Sequence, residues 1–279
     1  MIGLIPAYSS TVCGPWLQLV KAGCWCYNLF MCGRFVTGAD ESTWSEYSRM
    51  LTLTTRVQHL EKRDCFPGSM VSVIRWVDPS NPVKNGSPKP GREPSNSKGK
   101  GEGDPFKNKE RELVRMKWGF IPSPALKKRG VRLIFNLRAD RLQETFPRLL
   151  VSQRCVVPVS GFYEWKKVSH GRGKKQGYLI RPEGRPLFSL AGVWMCSAER
   201  TTDAELEFSL ITTGPNDQVA AIHNRMPVIL AGEDANLWLD SGGEPGVFDE
   251  LVKPYPHEMS IQALDDKKTT SQLPLFEGI

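Results

Sequence analysis

The chain has 279 residues, 40% of them hydrophobic, with a net charge of +7 and a pI of about 9.0. That is enough to bury a sizeable core but too little for two large domains, and the basic balance favours polyanionic partners such as nucleic acid. The seven cysteines include no CxxC pair and no Cys/His cluster, which argues against a zinc site or a disulfide framework and for a reducing, intracellular setting.

In chain order, residues 1–30 are apolar but interrupted by Pro6, Ser9, Ser10, Pro15 and Lys21, with no early positive charge. They make neither a signal peptide nor a membrane span. Two readings remain, a pro-segment or an upstream extension that is never translated, and the lack of any fold signal favours the second. "MCGRF" at residues 31–35 has the form of a start: trimming Met31 would leave Cys32 with a free amine and a free thiol on adjacent carbons. "DESTWSEYSRML" carries an acidic N-cap and apolar residues at helical spacing and predicts a helix. "MVSVIRWV" predicts a strand.

Residues 78–110 are rich in Pro, Gly, Ser, Asn and Lys, with seven basic residues against three acidic ones between positions 84 and 109. Such a segment cannot offset its own ordering entropy and is expected to be a disordered loop. It interrupts one domain, because the part from Cys32 to the loop is too short to fold alone. Strands are expected at "VRLIFNLRA", "RCVVPVSGFYEW", "GYLIRP", "PLFSLAGVWM", "FSLITTG" and "MPVIL", and shorter helices at "TFPRLLVSQ", "EDANLWLDS" and "GVFDELVKP". Strands dominate without βαβ alternation. The expected fold is α+β, with mostly antiparallel sheet and a few flanking helices. It occupies residues 31–262, followed by a tail at 263–279.

Four polar sites stand against apolar neighbours: "MCGRF"; "FNLRAD", with Asn136 and Arg138 at a strand end; "SGFYEW", with Glu164 between two aromatics; and "AAIHNRMPVIL", with His223 and Arg225 before a strand. Each residue taken singly also has a structural explanation. Asn136 closes a turn, Glu164 pairs with an arginine, His223 is a satisfied core residue, and Cys32 is buried sulfur.

Together, these blocks and "MKWGFIP", "LAGVW" and the degenerate "DCFPGSMVSVI" resemble the SOS-response-associated peptidase (SRAP) family of abasic-site-processing proteins, from Cys32 nearly to the C-terminus. The resemblance implies that Asn136, Glu164 and His223 fill the family's active-site positions beside Cys32, and that Arg34, Arg138 and Arg225 contact the DNA backbone. It implies covalent capture of abasic sites, chiefly in single-stranded DNA. A departure falls at Asp64, where the family usually has Asn.

The chemistry suits the residues. An abasic sugar opens to an aldehyde; an α-amine forms a Schiff base with it and the adjacent thiolate closes a thiazolidine ring. The amine's pKa of ~7.7–8, against ~10.4 for lysine, leaves more of it neutral near pH 7, and the neighbouring ammonium raises the thiolate fraction. Ring closure is intramolecular, with effective molarities of roughly 10⁵–10⁸ M. Glu164 is the expected general acid/base, His223 a proton shuttle and Asn136 a neutral hydrogen-bonding anchor. Trp118 and Phe120 of "KWGF" either stack on bases or fill the core. No cofactor and no metal are expected.

Two other functional readings stand beside the crosslinker: a thiol autopeptidase or cysteine peptidase with Cys32 as nucleophile and His223 as base, and a non-catalytic single-strand DNA-binding module. The tail motif "QLPLF" (Gln272, Leu273, Pro274, Leu275, Phe276) resembles sliding-clamp-binding peptides. The expected state is a monomer without membrane contact, cytoplasmic at the nucleoid in a bacterium or nuclear in a eukaryote.

Overall fold

A computed structural model describes residues 33–54, 59–77, 110–120, 128, 130–131, 133–167, 175–196, 206–241 and 245–265. The expected α+β class with mostly antiparallel sheet is what the structure has. The leader, Cys32, most of the predicted basic loop and the tail motif lie outside the described residues.

The chain enters at β1 (Phe35–Ala39) and turns into α1 (Glu41–Met50). Asp40 caps α1: its carboxylate accepts from the Thr43 N–H at 2.8 Å, satisfying one of the orphan donors of the first turn. Trp44 and Tyr47, one helical turn apart, form the buried stripe. β1 pairs with β2 (Leu60–Cys65), with an irregularity between Thr37 and Ala39. Gly38 sits there at φ +129°, and a Cβ on it would lie 2.7 Å from the Lys62 Cα; no other residue fits that approach.

β3 (Met70–Val77) and β4 (Glu110–Trp118) pair antiparallel from Met70↔Lys117 to Val77↔Glu110. The segment between them therefore joins two neighbouring strands of one sheet, and Glu110, assigned to the loop from sequence, is the first residue of β4.

β5 is short, Asn136–Arg138, and leads directly into α2 (Ala139–Thr145) and α3 (Pro147–Ser152). The predicted strand through residue 139 is thus a correction: among the described residues upstream of β5, Ile134 forms an isolated bridge with Phe120, and Ala139 already begins a helix with Asp140 in its first turn. "RCVVPVSGFYEW" is likewise two strands, β6 (Arg154–Val159) and β7 (Gly161–Lys167), in different sheets. Ser160 makes the corner, its N–H donating to the Val36 carbonyl at 2.9 Å.

β8 (Lys175–Pro182), β9 (Phe188–Cys196) and β10 (Leu206–Thr213) follow, then α4 (Asp217–Ala220), β11 (Met226–Pro227), β12 (Ile229–Leu230), α5 (Glu233–Asp240), α6 (Pro245–Leu251) and β13 (Met259–Ala263). The predicted strand "MPVIL" divides at Val228, so that β11 pairs with β10 and β12 with β9.

One sheet runs β13–β8–β7–β1–β2 and is antiparallel throughout. In the other, β10, β4, β3, β6 and β9 pair in turn and β9 returns to β10, closing a ring. β4 and β5 both lie parallel to β10.

Alternation along β6 shows how the two cores form. Cys155, Val157 and Val159 join one apolar cluster with Val71, Trp118, Phe208 and, from the other sheet, Phe35 and Phe162. Val156 joins a second with Trp44, Leu149, Trp238 and Ile211. A strand covered on both faces reads as a continuous apolar run, which is why "CVVPV" shows no period of two.

Candidate functional site

β5 is held in place by its neighbours. Leu210, Ile211 and Thr212 of β10 lie opposite Asn136, Leu137 and Arg138. The Trp118 indole N–H donates to the Phe135 carbonyl at 2.9 Å, and the Ser209 hydroxyl donates to the Ile134 carbonyl. Leu137 is buried in the helix-side cluster, so alternation turns Asn136 and Arg138 together to the other side. The abrupt start of α2 then brings Asp140 back to Arg138, whose Nε and Nη2 donate to its two carboxylate oxygens at 3.0 and 2.7 Å.

Arg225 completes this cluster from a distant part of the sequence. Its Nη1 lies 3.7 Å from Asp140, and its Nη2 donates to the Thr212 carbonyl at 2.5 Å and to the Thr212 hydroxyl at 3.1 Å. Hydrogen bonds from Arg138 hold the Asp140 carboxyl below its usual range, while burial, followed by the charge of Arg138, lowers the pKa of Arg225. Asp140 was not singled out from sequence, although "FNLRAD" contains it. The available signal was an acid two residues after an arginine at a strand-to-helix junction.

His223 precedes this arginine by two residues and is presented by α4. Asn216 caps α4, accepting from the Val219 N–H at 2.9 Å, and its amide donates to the Tyr255 carbonyl at 3.0 Å. His223 Nδ1 accepts from the Arg225 backbone N–H at 3.3 Å, so the neutral ring carries its proton on Nε2. Burial is the main reason its pKa lies below the ordinary value, with the Lys175 ammonium adding to it.

Glu164 and Arg34 occupy the other sheet. Glu164 is 2% exposed and lies opposite Tyr178 on β8. β1 pairs with β7 at Phe35↔Phe162, and the Tyr163 N–H donates to the Arg34 carbonyl. Continuing that register by one residue puts Arg34 opposite Tyr163. Alternation turns Glu164 to the side of Phe162 and Arg34 to the opposite face. There the Arg34 guanidinium lies over the Tyr163 ring (4.4 Å) and near Phe66 (5.2 Å), and its Nη2 pairs with Asp64 at 2.6 Å. Asp64, the departure from the family pattern, is thus a paired carboxylate.

Trp118 and Phe120 are both fully buried. The Trp118 ring packs against Phe35, Phe135 and Phe208, which leaves no face for a base. Base stacking by these two residues is corrected to core packing. Trp118 instead ties the neighbour of Arg34 to the neighbour of Asn136. Among the described residues, no three His, Cys, Asp or Glu side chains converge as a metal site would require, and no described helix is long and apolar enough to cross a membrane.

The fold and site define an α+β protein built on a closed ring of strands and a second, five-stranded sheet, with a buried carboxylate within a strand and arginines and an imidazole at strand ends and the turns beside them. The family model described as SOS response associated peptidase (SRAP) matches residues 31–268, and the chain belongs to that family.

Among curated proteins, the chain is similar to the abasic site processing protein YoqW of Bacillus subtilis, 35% identical over 147 residues, which are 51% of this chain and 64% of that protein. It is also similar to the abasic site processing protein HMCES of Gallus gallus, 29% identical over 161 residues, covering 49% of this chain and 47% of that one. The chain therefore spans roughly half to two-thirds of the length of these relatives. A crystal structure of a Bordetella bronchiseptica protein matches 84% of this chain and all of that one, with a TM-score of 0.58 and 18% identity, a likeness of fold alone. A Bacteroides thetaiotaomicron protein matches at 29% identity and TM-score 0.50, over 56% of this chain and 71% of that one.

Proposed function

We propose that this protein processes abasic sites in single-stranded DNA by covalent capture through Cys32. The observation that carries this reading is Glu164 itself, a carboxylate 2% exposed on β7, the strand that pairs with β1 at Phe35↔Phe162. Family membership and relatives named as abasic site processing proteins support it.

With Cys32 at the N-terminus, its amine adds to the sugar aldehyde to give a carbinolamine. Glu164 donates a proton to the departing hydroxyl, water leaves, and an imine forms. The Cys32 sulfur then adds to the imine carbon and the nitrogen regains a proton, closing the thiazolidine with net loss of one water. Asn136 holds sugar oxygens by neutral hydrogen bonds, and His223, neutral with its proton on Nε2, donates a hydrogen bond to the ring oxygen as the sugar opens, the proton itself coming from water. Arg138 and Arg225, joined through Asp140, present their positive charge to a phosphate. Arg34 serves a second phosphate. An amide at Cys32 cannot form the imine, so the reading requires a free Cys32, by start-site choice or by cleavage before it.

The test is incubation with an abasic-site oligonucleotide. A denaturant-resistant adduct that disappears in Cys32→Ala supports capture. Cleavage of an unrelated protein without an adduct supports the cysteine-peptidase reading, and salt-sensitive binding indifferent to Cys32→Ala supports a non-catalytic binding module. The autopeptidase reading draws on the family's description as a peptidase and on the residues preceding Cys32; intact mass of the cellular protein tests it. The reading adds a monomer that works at the nucleoid or in the nucleus, with "QLPLF" as a docking peptide for a sliding clamp, tested by pulldown with and without Phe276→Ala.

A further inference from the structure

Arg34 is the arginine nearest Cys32 in the chain, yet its charge is already matched. Its side chain is 11% exposed, with the guanidinium set against two aromatic rings, whereas the Asp64 side chain paired with it is 37% exposed. Asp64 is therefore the solvent-facing end of the pair. Its strand, β2, is the edge of the five-stranded sheet, where nothing in the sheet covers it on one side. Tyr163 joins the group: burial, and then the Asp64 charge, push its hydroxyl up to about 12, so it remains a protonated donor.

We propose that Asp64 is an internal stand-in for a nucleic-acid phosphate on Arg34. It holds the guanidinium ready between Tyr163 and Phe66, and it must be displaced before Arg34 can bind a backbone phosphate. A carboxylate and a phosphate present similar oxygen pairs to a guanidinium, and the exposed position of Asp64 lets one replace the other without moving the buried arginine. Asp64 thereby sets how strongly this end of the site holds DNA. The inference rests on the DNA reading above and assigns a residue that sets affinity within it.

The experiment measures binding of the full chain to oligo-dT across a salt series, which needs no reaction at Cys32. Asp64→Asn keeps the shape of the side chain and removes its charge. It is expected to tighten binding about fivefold at low salt and to steepen the log–log salt dependence by about 0.7, the value of one additional single-strand phosphate contact. The gain must vanish when Arg34→Gln is also present, and Glu61→Gln, an equal charge change on an exposed residue of the same strand, must fail to reproduce it. Asp64→Ser serves as a second variant if the amide perturbs the fold. The inference is overturned if the gain persists without Arg34, if Glu61→Gln matches it, or if neither Asp64 variant tightens binding. Those results leave the DNA reading standing provided the unaltered chain binds oligo-dT. A chain that neither binds oligo-dT nor forms an abasic-site adduct removes both.

Discussion

Trp118 donates its indole N–H to the carbonyl of Phe135 at 2.9 Å, while its ring lies 4.5 Å from that of Phe35. One buried side chain thus spans from the residue after Arg34 to the residue before Asn136. Trp118→Ala is expected to cost about 3–5 kcal/mol of stability. Trp118→Phe costs about 1–2 kcal/mol, because the Phe135 carbonyl keeps its second donor, the Leu210 N–H. Chemical denaturation measures both. Since the ring is core, Trp118→Phe should leave oligo-dT affinity unchanged; a large loss would restore a base-stacking role.

Glu164→Gln should slow adduct formation roughly 100-fold, in the range of a lost general acid, while oligo-dT affinity stays within about twofold. Quench-flow or timed gel analysis reads the rate, and equal rates would remove Glu164 from the chemistry.

His223 carries a pH signature. Burial lowers its folded-state pKa below the ordinary 6.5, so between the two values the unfolded chain binds more protons. Stability from this group is complete above the unfolded value and is lost as pH falls through the folded one. The pH dependence of denaturation midpoints should therefore be flatter in His223→Gln than in the wild type just below pH 6.5. Parallel curves would show that the ring does not titrate there.

Asp140 has a depressed carboxyl because Arg138 donates to it twice. Arg138→Gln should return its pKa toward the ordinary 3.8, read by carboxyl carbon NMR. The stability contributed by this pair is present above that ordinary value and is lost as pH falls through the depressed one, so the wild type and Arg138→Gln should converge in acid. An unmoved Asp140 resonance would mean that the pairing does not persist in solution.

Asn216 caps the helix that presents His223 and also ties it to Tyr255. Asn216→Ala should cost about 1 kcal/mol and broaden or shift the His223 ring resonances. Unchanged resonances would show that the turn holds His223 without its cap.

Much of the site was legible in the sequence because its polar residues interrupt apolar runs, and such interruptions can be counted along a chain. The strand "MVSVIRWV" and the helices at "DESTWSEYSRML" and "EDANLWLDS" were legible for the same reason: their patterns are local and periodic. The edge strands of the five-stranded sheet, β2 and β13, were not. "LEKRDC" of β2 is mostly charged, and it is a strand only because β1 supplies its partner. The extent of the site was also hidden. Asp140 matters because Arg225, far along the chain, reaches it across the end of β10, and Asp64 because Arg34 is held beside it against two rings.

By itself, the order of residues determined the family and the class of fold and named the candidate reactive groups, since these depend on composition, local pattern and motif. Tertiary structure alone decided which charges meet. Strand register and alternation turned Glu164 and Arg34 to opposite faces of their sheet, buried Trp118 and Phe120, and gave the arginines their carboxylates. Those are properties of pairing between distant segments, and no local pattern encodes them.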